Sequence, residues 1–312
     1  AYEMSECLVG SEMCIRDRYH NALKHYAKPV ANAVGMLADK IIENKGKKIV
    51  LVSLARAGIP IGILVKRYIK FKYGINVPHY SISIIRGRGI DDNAMKYLLE
   101  KYRPQQILFV DGWIGKGAIL NELKKDISAY EGVSADIAVV ADPANVTELC
   151  GTHEDILIPS SCLNSTVSGL ISRTFLRDDI IGRDDFHGAV YYGELTDSDL
   201  SYDFIETIEK EFNMENTPDL EKRVESQGID EVINIGKNFG IDDINLIKPG
   251  IGETTRVLLR RIPWKVLIDE RYKGNPQLEH IVRLAEEKHT PVEYYPLTHY
   301  KCCGIIKKLA DA

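Results

Sequence analysis

The sequence predicts an α/β protein: a doubly wound parallel sheet, followed by a smaller α/β domain. Three observations carry this. Short apolar runs of strand type recur about every 30 residues with helix-patterned segments between them, which is the spacing of βαβ crossovers. Loops rich in glycine or arginine fall where these runs end, and open α/β sheets bind their ligands there. From Ile244 the pattern restarts as a compact strand–helix unit of roughly 70 residues.

At 312 residues, 45% of them hydrophobic, the chain has material for about two cored domains. No apolar run approaches ~18 residues, which argues against a membrane span. The net charge of -5 is unevenly spread: residues 194–231 carry 13 acids and three bases, while the parts on either side are mildly basic. That block reads as an acidic helical linker, residues 196–243, between a domain at 19–195 and another at 244–312. Mildly basic flanks suit phosphate-rich ligands. Residues 7–18, CLVGSEMCIRDR, resemble the in-frame translation of a sequencing-library adapter, so residues 1–18 stand apart from the fold. Of the six cysteines this leaves Cys150, Cys162, Cys302 and Cys303. Scattered thiols without a secretory signal predict a reducing cytoplasm.

Residues 21–44 have helical spacing, apolar at Leu23, Tyr26, Val30, Val34, Leu37 and Ile41, with a turn or kink expected at Pro29. A strand at 48–55 follows, then Arg56-Ala57-Gly58 and a helix at 61–71. A strand that delivers Arg-x-Gly into a helix start offers an anion both a cation and backbone amides. The alternating strand 79–85 leads to Arg86-Gly87-Arg88-Gly89, which has the composition of a mobile cationic flap, and to a helix at 93–101. Then comes the densest signal. An apolar strand, 107–110, ends in Asp111, passes through Gly112, Gly115 and Gly117, and turns helical from Ala118. First-turn amides, the helix dipole and the bare backbone of glycine make an anion site, and Asp111 can accept hydrogen bonds from sugar hydroxyls.

A strand at 136–140, a short strand at 156–159 and a helix at 166–175, capped by Asn164 or Ser165, complete the first domain. The hydroxyl-rich turn 160–168 is either one wall of an acceptor pocket or a polar cap. Cys162 with His153 or His187 is formally a cysteine–histidine nucleophile pair, with a buried structural thiol as the alternative. Residues 199–212 and 220–224, separated by Pro218, read as exposed acidic helices. In the C-terminal unit, the segment IKPGIGETTR at 247–256 leads into a helix at 255–261. A strand at 264–268, a helix at 277–288, a strand at 291–295 and a last helix after Gly304 follow. Amides of Gly250, Gly252 and Glu253 at a helix start, with Lys248, Arg256 and Arg260 nearby, suit RNA phosphates or base edges. Cys302 and Cys303 lack two further ligands at zinc spacing and read as packing residues.

The order of apolar strand, acid and glycine loop resembles the PRPP loop of the type I phosphoribosyltransferases. The Arg56 turn resembles their pyrophosphate loop, and Arg86 with Arg88 their flexible loop. The resemblance implies that Asp111 holds the ribose and that Gly115, Lys116, Gly117 and Ala118, next to Gly112, hold the 5′-phosphate. It gives the pyrophosphate to Ser53, Ala55, Arg56, Ala57 and Gly58, with Arg86 and Arg88 shielding the leaving group. Mg²⁺ is expected to arrive on the pyrophosphate, with no metal site from protein alone. Where those transferases carry a second acid, this chain has Gly112.

Residues 244–309 resemble the Pelota-type RNA-binding domain, with Gly252-Glu253 where kinked-RNA binders carry Asn-Glu. The combination resembles the StiP/phosphoribosyltransferase family of tellurium-resistance (Ter) stress operons. It implies PRPP-dependent phosphoribosyl transfer to an unknown acceptor base, making a ribonucleoside or modified nucleotide, with RNA and a second copy of the chain as expected partners. Two alternatives stand beside it. One is a non-catalytic, nucleotide-sensing RNA-binding regulator, which loss of the second acid favours. The other is a StiP-type cysteine protease using Cys162.

Overall fold

Period-two alternation along the apolar runs explains how the main sheet is buried on both faces. In β1 (Val50–Ala55), Val50, Val52 and Leu54 join the cluster on one face, while Leu51 joins the cluster on the other. The computed structural model describes residues 9–217 and 225–308, so the expected helix at 220–224 lies outside the described residues. β1 pairs in parallel with β2 (His79–Ile85) and with β4 (Ile107–Trp113). β4 pairs in parallel with β5 (Ile137–Ala141), and β5 with β6 (Cys150–Thr152). A two-residue β3 (Gly89–Ile90) folds back antiparallel on β2, giving the order β3-β2-β1-β4-β5-β6. The chain therefore leaves β1 towards β2 and returns on its opposite side as β4. The order reverses between β1 and β4, and the crevice at their carboxyl ends is where a doubly wound sheet takes a ligand.

α1 (Val9–Lys45) and α2 (Gly58–Tyr73) cover one face; α3 (Asp92–Lys101) and α4 (Ala118–Ile127) cover the other. The helix predicted at 21–44 is thus longer, and it passes Pro29 unbroken. Pro29 lies on the exposed side, where water can satisfy the carbonyl that a proline leaves unpaired. α2 starts close against β4: a Cβ on Gly58 would lie 2.4 Å from the Val110 carbonyl oxygen and 3.1 Å from the Asp111 Cα. Gly58→Ala is therefore expected to push the Arg56 turn off β4, with a loss of about 3 kcal/mol. A lower urea midpoint at unchanged m-value would record it.

Three expectations in this unit are corrected. Residues 156–158 form no strand and lead into a single 3-10 turn, Pro159–Cys162, while β6 takes the sheet edge instead. The helix expected at 166–175 does not form. Gly169 (φ 70°) and Leu170 (φ 58°) both adopt the left-handed conformation, which stops a helix after the short turn Ser165–Val167. The chain then makes isolated bridges, Ile171 to Tyr191 and Phe175 to Gly188. α5 (Ser201–Glu209) is not an exposed bridge: Phe204, Ile205 and Ile208 are buried in the cluster that α1 and α2 share.

In the C-terminal unit, α6 (Gly228–Phe239), which falls in the expected linker, packs Val232 and Ile235 against Ile247, Leu267, Tyr300 and Ile305. β7 (Ile247–Pro249), α7 (Ile251–Arg260), β8 (Pro263–Ile268), α8 (Glu279–Glu287), β9 (Val292–Tyr294) and β10 (Cys302–Ile306) follow. The sheet order is β7-β10-β8-β9, so the expected last helix is a strand between two partners. Alternation explains it: Cys302 faces the cluster around α7 and α8, and Cys303 faces α6. Both are packing residues, as expected. Leu258 and Ile268, with Ile281, Leu284 and Ala285 of α8, belong to the same apolar cluster as α1 and the large sheet, so the two units share a core. Among the described residues, no helix is long and apolar enough to cross a membrane.

Candidate active site

A cavity of about 560 Å³ opens at the carboxyl ends of β1 and β4. The β1–α2 turn contributes Ala55, Arg56 and Ala57, joined by a cis peptide between the first two. β4 and the glycine loop contribute Asp111, Trp113, Gly115, Lys116, Gly117 and Ala118. Arg86 comes from the β2–β3 hairpin and Arg173 from the excursion after Leu170. The far wall is Lys248, Glu253 and Arg256 of the C-terminal unit. Two loops separated by more than 50 residues, and three of the residues expected to meet RNA, thus share one cavity.

Several expected site residues lie elsewhere. Ser53 is buried below the floor, with Oγ 2.8 Å from Nε2 of His79, a ring that burial keeps neutral by pushing its pKa down to about 4. Gly58 is the packing point against β4 described above. Gly112 is buried, and its N–H donates to Oδ1 of Asp111 at 2.7 Å instead of facing the cavity. Arg88 is exposed on the hairpin and outside the cavity wall.

The start of α7 is also not open. Oδ1 of Asp155 accepts the Ile251 N–H at 2.9 Å, and Oδ2 accepts the Lys301 N–H at 2.9 Å. Gly250 (φ 89°) sits against the same carboxylate, and Gly252 against Ser161 and Trp113. Arg260 donates to Asn164 Oδ1 at 2.5 Å and to the Cys162 carbonyl at 2.9 Å. A carboxylate of the chain itself therefore occupies the helix end expected to receive an RNA phosphate.

Burial dominates the electrostatics. Asp111 is pushed up to about 7 by burial and by Glu253, against the opposing effects of the Gly112 N–H and Arg256. Burial, with Lys248 close by, lowers Lys116 to about 8. The Lys116 ammonium donates to the carbonyls of Ile244 and Ile247, the latter at 3.0 Å, and the Tyr300 hydroxyl donates to the Gly115 carbonyl at 2.7 Å. The C-terminal unit thus grips the glycine loop. Arg256 lies 5.2 Å over the Trp113 ring and 3.2 Å from Glu253 Oε1. Sequence reasoning missed Trp113 and Arg173. Trp113 lies two residues beyond Asp111 and was open to notice; Arg173 sat in a stretch that reads as a helix and carried no local signal.

The cysteine–histidine pairing is corrected. Cys162 is buried and its thiol is pushed up to about 11 by desolvation. His153 lies beside Cys150, with Nε2 3.3 Å from the sulfur, while His187 meets Ser83 Oγ at 2.9 Å. At pH 8 the Cys162 thiolate fraction is expected to be roughly 100-fold below that of an ordinary thiol. Iodoacetamide followed by peptide mass spectrometry should find Cys162 unmodified until the chain is unfolded. Among the described residues, ligand atoms of Asp142, Cys150 and His153 lie within 4.8 Å of one another. The sulfur is 3.3 Å from one ring nitrogen and 3.8 Å from the other, beside the ring and not in line with either lone pair.

Residues 9–209 match the family model for the tellurite-like stress resistance cysteine protease StiP, and residues 226–308 match that of the PELOTA RNA binding domain. The cysteine protease StiP of Acinetobacter baylyi is 32% identical over 312 aligned residues, covering 93% of this chain and 80% of that protein. Among solved structures, a hypoxanthine-guanine phosphoribosyltransferase from Bacillus anthracis is similar at 18% identity and a TM-score of 0.30, over 39% of this chain and 71% of that one. A hypothetical protein from Neisseria gonorrhoeae with bound ppGpp is similar at 15% identity and a TM-score of 0.25, over 36% of this chain and 65% of that one.

Proposed function

The chain belongs to the StiP family, with a PELOTA RNA binding domain at its C-terminal end. From that premise we propose that it is a stress-response enzyme that binds phosphoribosyl diphosphate and transfers the phosphoribosyl group to an acceptor base. The observation that carries this reading is the meeting of the Arg56 turn with the acid–glycine loop in one crevice, where the sheet order reverses. Asp111 accepts hydrogen bonds from the ribose hydroxyls, and the loop amides from Gly115 to Ala118 hold the 5′-phosphate. Arg56 and Arg86 hold the pyrophosphate as it leaves an oxocarbenium-like centre, and closure of the C-terminal unit over the cavity keeps water out.

The donor set fits a hard cation carried in by the substrate, because Glu253 supplies a second carboxylate where the loop itself has Gly112. Mg²⁺ would neutralise charge developing on the pyrophosphate. RNA is the partner assigned to the C-terminal unit, reached at the cavity mouth past Lys248 and Arg256. Cys150, Cys162, Cys302 and Cys303 are buried, and a reducing cytoplasm is the proposed setting.

Calorimetry with phosphoribosyl diphosphate and Mg²⁺ tests this. Saturable binding by the parent chain, weakened at least tenfold in Asp111→Asn, is the expected result, and no binding by the parent would sink the assignment. Binding without pyrophosphate release across an acceptor screen would select the nucleotide-sensing RNA regulator.

The family name favours a second reading, a cysteine protease. Among the described residues, the thiol in contact with an imidazole is that of Cys150, with His153. Peptide hydrolysis lost in Cys150→Ser and kept in Cys162→Ser would select that reading.

A further inference from the structure

Four guanidinium groups converge at the seam between the two units. Arg56 follows the first strand of the large sheet, Arg173 projects from the excursion after Leu170, and Arg256 and Arg260 stand one turn apart on α7. Arg56 and Arg260 donate to the same atom, Oδ1 of Asn164, at 3.3 and 2.5 Å, so the two cations lie within about 6 Å of each other. Their other partners, the carbonyls of Ile171 and Cys162, are neutral as well. Among the described residues, Arg256 alone of the four has a carboxylate in contact, Glu253.

Like charges brought this close in a partly desolvated seam repel: burial first, then the neighbouring guanidinium groups, lower Arg56 and bring Arg260 down to about 10. Packing alone would be served better by apolar residues. A shared neutral oxygen on an exposed side chain marks the place that an anionic oxygen would take with greater gain, because guanidinium forks bind phosphate oxygens in pairs.

We infer that Arg56, Arg173, Arg256 and Arg260 form an anion subsite that takes a diphosphate group between the two units and displaces the Asn164 amide. The inference rests on the phosphate reading of the cavity and not on transfer chemistry. It goes beyond that reading because three of the four arginines lie outside the strand–loop motif, two of them on the C-terminal unit. Ligand binding on this account also fastens that unit over the sheet.

Inorganic pyrophosphate, with and without Mg²⁺, is the probe, used on the full chain in calorimetry and thermal unfolding. Pyrophosphate is expected to bind the parent and raise its unfolding temperature. Arg173→Gln and Arg256→Lys should each weaken binding at least tenfold, while Arg261→Ala, an exposed change just beyond α7, should leave it unaltered. Arg173 is exposed, so its replacement spares the core, and Arg256→Lys keeps the charge while removing the fork.

Pyrophosphate binding that depends on Arg56 yet ignores Arg173 and Arg256 would overturn the subsite and leave the transferase reading intact. So would a parent chain that binds phosphoribosyl diphosphate but not pyrophosphate. Pyrophosphate binding with the stated arginine dependence, in a chain that does not bind phosphoribosyl diphosphate, would uphold the subsite and remove the transferase.

Discussion

Asp111→Asn is expected to bind phosphoribosyl diphosphate at least tenfold more weakly than the parent chain and yet to resist urea better at pH 8. The two effects have one cause. Asp111 sits at the end of a buried strand, and its carboxyl group is raised from 3.8 to about 7, mostly by loss of solvent. A folded-state pKa above the unfolded value means that ionisation opposes folding. The penalty is absent well below pH 4, grows as the pH rises towards 7 and is complete above it. Three units would amount to roughly 4 kcal/mol, and the side chain's partial exposure to the cavity reduces that to about 2 kcal/mol.

Asparagine keeps an oxygen for the Gly112 N–H but cannot carry charge, so it escapes the penalty. It also offers the ribose hydroxyls a weaker, half-blocked acceptor. Urea titrations at pH 5 and pH 8 check the sign: the gain should be full at pH 8 and fall to less than half at pH 5. Equal stability at both values would mean that Asp111 does not bear the cost assigned to it.

Asp155→Ala is expected to act the other way, with a loss of about 3–5 kcal/mol and a chain that unfolds in two steps. The carboxylate spans the seam between the units, and its removal leaves the N–H groups of Ile251 and Lys301 buried without an acceptor, each at about 1–3 kcal/mol. α7 also loses the anion at its N-terminus. Burial raises Asp155 to about 6 in spite of those donors, so the parent gives up some stability as the pH rises from about 4 to 6, and the variant should lack that fall. Hydrogen exchange should place the lost protection in α7 and β10 while the large sheet keeps its own. Uniform loss across both units would show that Asp155 supports a single cooperative structure and not a joint.

What was legible in the sequence was local. Val50 to Ala55, interrupted only by Ser53, and Ile107 to Val110 are apolar runs because parallel strands are covered on both faces, and Arg56 and Asp111 follow them directly. β10 misled because five residues of period two after Tyr300 look equally like the entry to a helix; the two partner strands that decide the matter lie far back in the chain. The end of α7 misled for a stronger reason. Gly250 to Arg256 reads as a free phosphate-binding start until Asp155, 96 residues earlier, is known to fill it. Non-local pairing of this kind leaves no trace in spacing. Arg173 entered the cavity unannounced for the same reason, since left-handed Gly169 and Leu170 turn the chain where a helix was expected.

The long first helix carries a further consequence, for the chain while it is being made. α1 shares its apolar cluster with α8, and the Tyr26 hydroxyl meets the Gln277 carbonyl, 251 residues away. A ribosome adding roughly 5–20 residues per second needs on the order of tens of seconds to deliver that partner. For this interval the nascent helix presents a greasy stripe with nothing yet synthesised to lie against part of it. Newly emerging chains should therefore be clients of holding chaperones, and a message truncated before α8 should yield aggregates in place of a soluble half.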